Sequence, residues 1–405
     1  MAAKVAAALA LCAHSAAAAP LAAANLRVEY LERGVTESAA PRFTWEPVSF
    51  DRGAAQASYR IVVASETANA NVWDSGVVAS AEAAHVPYAG AALVSDATYN
   101  WTLTWTDNVG ATAPPASGVF ATGLLSQAEW APAAWVGCPP TAGALSFNQL
   151  RAELTLGLAP GVTVAQARAY VSGLGYVSLR VNGDWAPHFS QRHPRNEPGW
   201  TTYELRALYS TYDLTVVLSP TAPNAFALAL GNGWPVIGPV PGNSSALGDD
   251  NDGALRMARM LVSVRDSTGA TTTWATTAAG FQRVGDASTT WMCGAGAQLY
   301  DSVYNGVTYD ARLETTGWDV AGFDYSIGNW THAVLKADPG GATPTTMSTQ
   351  AMPVISVQAE LDAISMWSPA PGVTVFDFGA SPPARPRRAP RRTANTLRPL
   401  TARDP

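Results

Sequence analysis

Asn232 and Trp234 share the Gly-rich stretch Leu230-Gly-Asn-Gly-Trp234, and Asp301, Asn305, Tyr309 and Asp310 occupy a second turn-rich stretch. These side-chain types suit a sugar: an aromatic face packs on the ring's C–H surface, and Asn, Asp or backbone groups bond the hydroxyls. The same residues fit a plainer arrangement, which is favoured. In it Asp310 and Arg312 form a structural ion pair, and Gly231-Asn-Gly-Trp234 is a tight turn with a core Trp. Asp249, Asp250 and Asp252, with Asn251 between them, crowd an acid-poor region, and calcium takes such oxygen ligands. The hand-type calcium loop fails, because Gly248 would take its first position and Arg259 its last. An acidic, solvated loop is therefore expected, and calcium stays open as the one candidate cofactor. His188 and His193 lack a third ligand, which argues against a metal there.

The three cysteines divide by position. Cys12 falls within residues 1–24, which read as a secretory signal: Lys4 supplies the charge, Val5–Ala13 the apolar core, and Ala16–Ala24 the small-residue cleavage sites. Removal would leave Cys138 and Cys293, an even number in an oxidising compartment. A bridge between them would close a long loop and stabilise by ~3–5 kcal/mol; two buried free thiols are the favoured alternative. Asn100-Trp-Thr, Asn243-Ser-Ser and Asn329-Trp-Thr are glycosylation sequons, which matter only in a eukaryotic source. A secreted, extracellular chain is expected.

The elements that must carry these residues are short. At ~100–200 residues per domain, a chain of 405 residues predicts several domains. Apolar residues make up 47%, which excludes global disorder, and 34 Gly with 29 Pro argue for turn-rich β structure over long helices. A net charge of −6 excludes a nucleic-acid binder. No apolar run after the N-terminus is long enough for a membrane-spanning helix.

Five alternating runs, Pro41–Glu46, Ser58–Ala64, Asn71–Gly76, Thr98–Trp105 and Gly118–Thr122, predict an immunoglobulin-like sandwich over 25–122. In Thr98–Trp105, Tyr99, Trp101, Leu103 and Trp105 share one face at period two and are expected in the core. Longer runs (Gln149–Leu156, Ala165–Val181, Ala225–Leu230, Arg259–Arg265 and Thr271–Thr276) predict a larger sandwich over 130–338, with a hairpin turn at Asn182-Gly183. Pro353–Leu361 and Val373–Phe378 read as two strands of a third domain, begun over 352–379 and not finished. The Arg/Pro-rich remainder, 380–405, has no periodicity and is expected to be disordered. Out-of-frame sequence is its favoured explanation over a polybasic arm.

In this order the chain resembles bacterial-type α-L-rhamnosidases of glycoside hydrolase family 78. The likeness runs through Leu26-Arg-Val-Glu-Tyr-Leu31, Pro41-Arg-Phe-Thr-Trp45, Tyr59-Arg-Ile-Val-Val-Ala-Ser65, Trp73-Asp-Ser-Gly76 and Phe120-Ala-Thr-Gly-Leu-Leu125. It continues through Tyr170–Tyr176, Val181-Asn-Gly183, Pro198-Gly-Trp-Thr201, Leu208–Asp213, Leu230–Trp234, Tyr304-Asn-Gly306, Tyr309–Arg312, Gly317-Trp318 and Val375-Phe-Asp-Phe-Gly379. The resemblance implies a fibronectin type III-like sandwich followed by the rhamnosidase N-terminal β-sandwich. The family continues with a further β domain, of which only the start is present here, and with an (α/α)₆ barrel whose acidic catalytic stretch has no match in this sequence. Inverting hydrolysis needs an acid and a base ~6.5–9.5 Å apart across the sugar, so no catalytic residue is assigned. In some members the second sandwich includes or acts as a calcium-dependent rhamnose-binding module. The expectation is the non-catalytic N-terminal part of a secreted α-L-rhamnosidase, inactive alone and in contact with rhamnose-containing glycans. The alternatives are a free-standing rhamnose-binding module and a β-sandwich surface or adhesion protein.

Overall fold

The computed structural model describes residues 20–139, 147–191, 197–233, 256–277, 280–283, 291–302, 306–357, 359 and 361–379. Period-two runs give the first eight strands: β1 (Leu21–Val28), β2 (Val35–Thr36), β3 (Arg42–Val48), β4 (Gln56–Ser65), β5 (Ala70–Asp74), β6 (Val86–Pro87), β7 (Thr98–Asp107) and β8 (Ala116–Thr122). They form two sheets, β1-β3-β6 and β2-β8-β7-β4-β5. Tyr99, Trp101, Leu103 and Trp105 of β7 are all buried, and Phe43, Ile61, Val63 and Phe120 join them in one core. Buried indoles need partners for their N–H groups. Trp45 Nε1 donates to Gln56 Oε1 at 2.8 Å, and Trp105 Nε1 donates to the Leu21 carbonyl at 3.1 Å. That last bond, with Ala23 buried, makes Leu21–Ala24 part of the sandwich. The expected signal segment therefore overlaps a paired strand.

The second sandwich uses β9 (Val136–Gly137), β10 (Phe147–Leu154), β11 (Val164–Leu174), β12 (Tyr176–Val181), β13 (Asp184–Trp185), β14 (Arg206–Asp213), β15 (Asn224–Gly231) and β16 (Met257–Asp266). It continues through β17 (Thr271–Thr277), β18 (Gly280–Arg283), β19 (Met292–Ala295), β20 (Gln298–Ser302), β21 (Gly306–Tyr309), β22 (Trp330–His332), β23 (Val334–Leu335) and β24 (Thr346–Thr349). The run expected as one strand over Ala165–Val181 breaks at Gly175, whose φ of +88° reverses the chain, and a side chain there would strike the Gly231 carbonyl. One sheet runs β13-β12-β15-β10-β19-β22, and the other runs β18-β17-β16-β11-β14-β24 with β9 on β16 and β23 on β9. Leu150, Leu179, Phe226 and Leu228 from the first meet Ala169, Val171, Met260 and Val262 from the second.

β11 and β16 are buried on both faces. Ala167, Ala169 and Val171 face the sandwich core, while Tyr170 and Leu174 join Leu124, Trp130, Trp135, Tyr209, Leu261 and Met347 on the other side. Cys138 and Cys293, for which the sequence left a bridge and free thiols open, are bonded as a disulfide with Cα atoms 5.5 Å apart across a separation of 155 residues. The bond ties the segment after β9 to β19, and so one sheet to the other.

β24 extends this sandwich past the expected end at 338. It lies parallel to β14 in the register Arg206↔Thr346 to Tyr209↔Thr349, and Met347 is buried. Asp338 is itself anchored: it accepts from Trp135 Nε1 at 3.1 Å and from the amides of Gly340 and Thr345. The chain divides after Ser356 into a second compact unit, in which β25 (Ser365–Ala370) pairs antiparallel with β26 (Val373–Asp377). No strand forms among the described residues of 353–361, where Ser356 makes only an isolated bridge and Ile355, Val357 and Leu361 are exposed. No helix among the described residues is long and apolar enough to cross a membrane. Residues 1–19 and 380–405 lie outside the described residues.

Candidate functional site

β15 leaves the six-stranded sheet at Gly231, and the next residue, Asn232, is locked to β20. Its amide donates to Asp301 Oδ1 at 2.7 Å, and its Nδ2 donates to the Asp301 carbonyl at 2.9 Å. Gln298 Nε2 donates to the other carboxylate oxygen at 2.7 Å. Asn232 Oδ1 is left buried with no hydrogen-bond partner among the described residues. Asn232 and Asp301, picked from two separate stretches of sequence, thus form one polar node. Trp234 and Asn305 lie outside the described residues.

Tyr309 sits opposite Gln298 in the β20–β21 hairpin; its ring is about half exposed and its hydroxyl donates to Glu314 Oε1 at 2.7 Å. Asp310 points elsewhere. It caps the short helical turn Ala311–Leu313 and pairs with Arg312 at 2.5 Å, and hydrogen bonding from that guanidinium holds its carboxyl down at about 2.

Asp249, Asp250 and Asp252 lie outside the described residues, as do His193 and Asn243. Among the described residues no three His, Cys, Asp or Glu side chains come together as metal ligands. His188 is a half-buried imidazole against the core: its Nδ1 lies 2.7 Å from Ser190 Oγ, its ring meets Tyr212 edge-on, and desolvation lowers its pKa to about 4. Of the sequon asparagines, Asn329 is exposed, and Asn100 donates through Nδ2 to Glu66 Oε1 at 2.8 Å.

Two arrangements escaped the sequence reading. Arg151 of β10 is fully buried, donating to Tyr325 Oη at 2.5 Å, Glu153 Oε1 at 2.6 Å and the Val320 carbonyl at 2.8 Å, with its guanidinium carbon 5.3 Å from the Phe323 ring centroid. It fastens the loop containing Phe323, Tyr325 and Val320 to the sheet. The other is Asp96, between the two sandwiches. Its Oδ1 accepts from Tyr170 Oη at 2.7 Å, Gln166 Nε2 at 3.1 Å and Arg168 Nη1 at 3.2 Å, and its Oδ2 accepts from Ser263 Oγ at 2.6 Å. A charged residue within a strand, as Arg151 is, or in a turn, as Asp96 is, is ordinary in sequence, so neither position carried a signal.

Known proteins share this architecture. Residues 23–126 match the Rha78A-like N-terminal immunoglobulin domain, and residues 162–358 match the α-L-rhamnosidase N-terminal domain. An α-L-rhamnosidase of Streptomyces avermitilis is 32% identical over 256 residues, which are 62% of this chain and 21% of that protein. The structure of an α-L-rhamnosidase from Dictyoglumus thermophilum superposes with a TM-score of 0.67 at 25% identity, over 89% of this chain and 38% of that one. A Streptomyces avermitilis α-L-rhamnosidase complexed with L-rhamnose gives 0.72 at 20% identity, over 88% and 49%, a likeness of fold. The chain spans between 21% and 36% of the length of the curated relatives it matches. What it shares with them is their N-terminal, non-catalytic region. The chain therefore belongs to the α-L-rhamnosidase family, of which it carries the N-terminal immunoglobulin-like domain and the N-terminal β-sandwich domain.

Proposed function

We propose that this chain is the sugar-contacting, non-hydrolytic part of a secreted α-L-rhamnosidase, with rhamnose-containing glycans as its ligands and the Asn232–Asp301 node as its contact. One observation carries the reading. Asn232 Oδ1 is a buried acceptor with no donor among the described residues, and leaving such a group unpaired costs ~1–3 kcal/mol. A sugar hydroxyl is a donor of the right kind once the Asn232 side chain turns toward the surface, and the half-exposed Tyr309 ring across the hairpin offers an apolar face for C–H groups.

Calorimetry with L-rhamnose, with and without calcium, tests this directly. Heat of binding is expected from the parent chain and at least a tenfold weaker response from Asn232→Ala; no heat at millimolar sugar removes the reading. The chain is expected to release no product from an aryl α-L-rhamnoside, and turnover abolished by a carboxylate substitution would refute its non-hydrolytic character. Secretion has its own check. Because β1 begins at Leu21 and is paired, the processed N-terminus is expected no later than Leu21 rather than after Ala24; N-terminal sequencing of secreted material reads it.

A further inference from the structure

A groove of about 570 Å³ runs between the first sandwich and the outward face of β16 and β17, within the ~300–1,000 Å³ of small-ligand sites. Its walls differ. Val94, Pro132 and Leu261 line it with apolar surface, and Val94 is 56% exposed although it belongs to neither strand edge nor turn tip. Thr67, Thr271, Thr273 and Arg265 line it with hydroxyls and a guanidinium. Arg265 donates through Nη2 to Gln166 Oε1 at 2.9 Å and to Thr67 Oγ1 at 3.4 Å, while Nε and Nη1 make no hydrogen bond to described residues.

The floor is rigid. Asp96 holds a left-handed φ of +55°, donates its amide to the Gly123 carbonyl at 3.1 Å, and spends both carboxylate oxygens on the second sandwich. A preformed cleft spares a ligand the cost of ordering its walls. Charge selects the ligand: Asp96 and Glu129 disfavour an anion, while Arg265 and the buried Arg168 beside Asp96 disfavour a cation. A neutral molecule with one apolar face and one hydroxyl edge fits both walls.

We propose that this groove is a second carbohydrate site, distinct from the Asn232–Asp301 node, and that it takes a neutral deoxy-sugar glycoside. The identity of the sugar rests on the reading above; the groove does not. The methyl and C–H face would lie on Val94 and Pro132, and the hydroxyls would meet Arg265, Thr67 and Thr273.

Amide hydrogen exchange of the full chain, with methyl α-L-rhamnoside at saturation, tests it. Exchange is expected to slow at least twofold over 94–98 and 271–273 in the parent and in Asn232→Ala, and not in Thr273→Trp, whose ring fills the groove. Protection confined to 230–233 and 298–302, or unchanged by Thr273→Trp, overturns the proposal and leaves the node standing. Protection of the groove alone, in parent and Asn232→Ala alike, supports the groove and removes the node. No protection anywhere overturns both. Should Thr273→Trp melt early, Arg265→Ala replaces it: a tenfold loss of groove affinity is expected, and an unchanged titration overturns the proposal.

Discussion

His188 shows how one half-buried ring couples this fold to pH. Desolvation lowers its pKa to about 4 from 6.5, so between those values the unfolded chain binds a proton that the folded chain refuses. Stability is lost as pH falls through that window, by up to about 3 kcal/mol. Glu37 and Glu197 act the other way. Burial pushes both carboxyls up despite bonds from Tyr209 and from the Ile355 amide, so the stability they contribute is present at low pH and lost as pH rises through their folded values. The contribution of His188 is isolated by difference. The gap in stability between the parent and His188→Gln is expected to be flat above pH 7 and to shift against the parent by about 3 kcal/mol on going to pH 4, read by urea melts across pH. Asp96 is the other residue on which much depends. Asp96→Ala would leave Arg168, only 2% exposed, without its ion-pair partner and with only the cross-strand Asp213 acting on it, and would orphan Tyr170 Oη and Ser263 Oγ. A loss of about 3–5 kcal/mol is expected, as for a broken buried pair, and a change below 1 kcal/mol in denaturant unfolding would contradict it.

Among the elements, β7 and β11 behave differently for a reason visible in their surroundings. β7 has one buried face, so its apolar residues alternate and its orientation is legible from period two alone. β11 is buried throughout from Gln166 to Leu174, which sends Tyr170 away from the sandwich core and toward Asp96. A strand covered on both sides loses the alternation that would reveal which face meets what. The disulfide acts between elements: it joins the stretch beside β9 to β19 and closes a 155-residue loop. Cys138→Ala with Cys293→Ala is expected to lower stability by about 3–5 kcal/mol, and reduction of the parent should reproduce the loss in a thermal melt; equal melting points would show that the bond contributes nothing.

For the whole chain, the place where the sandwich ends has practical weight. A chain ending at Asp338 would lose β24, the buried Met347 and the bond from Gln127 Nε2 to the Met347 carbonyl at 2.7 Å. It is expected to melt earlier or fail to fold. A chain ending at Ser356 keeps all of these and sheds the second unit, whose Ile364, Met366, Trp367 and Phe376 are each about half or more exposed. Exposed apolar strands with open edges favour association. The chain ending at Ser356 is therefore expected to stay monomeric to higher concentration with an unchanged melting point, checked by light scattering and calorimetry; greater aggregation than the parent would contradict this.

Local pattern was enough for much of this protein. Alternation and turn residues specified an all-β chain with two successive sandwiches, the inward set Tyr99, Trp101, Leu103 and Trp105, and the kinship carried by ordered short motifs, because each depends on residues close together in the chain. Pairings across long separations were decided only in three dimensions: Cys138 with Cys293, Asn232 with Asp301, Arg151 with Tyr325, Asp96 with Ser263, and β24 with β14. In each case the side chain or strand alone has many possible partners, and the packing of one sheet on another selects which of them comes within hydrogen-bonding or covalent reach.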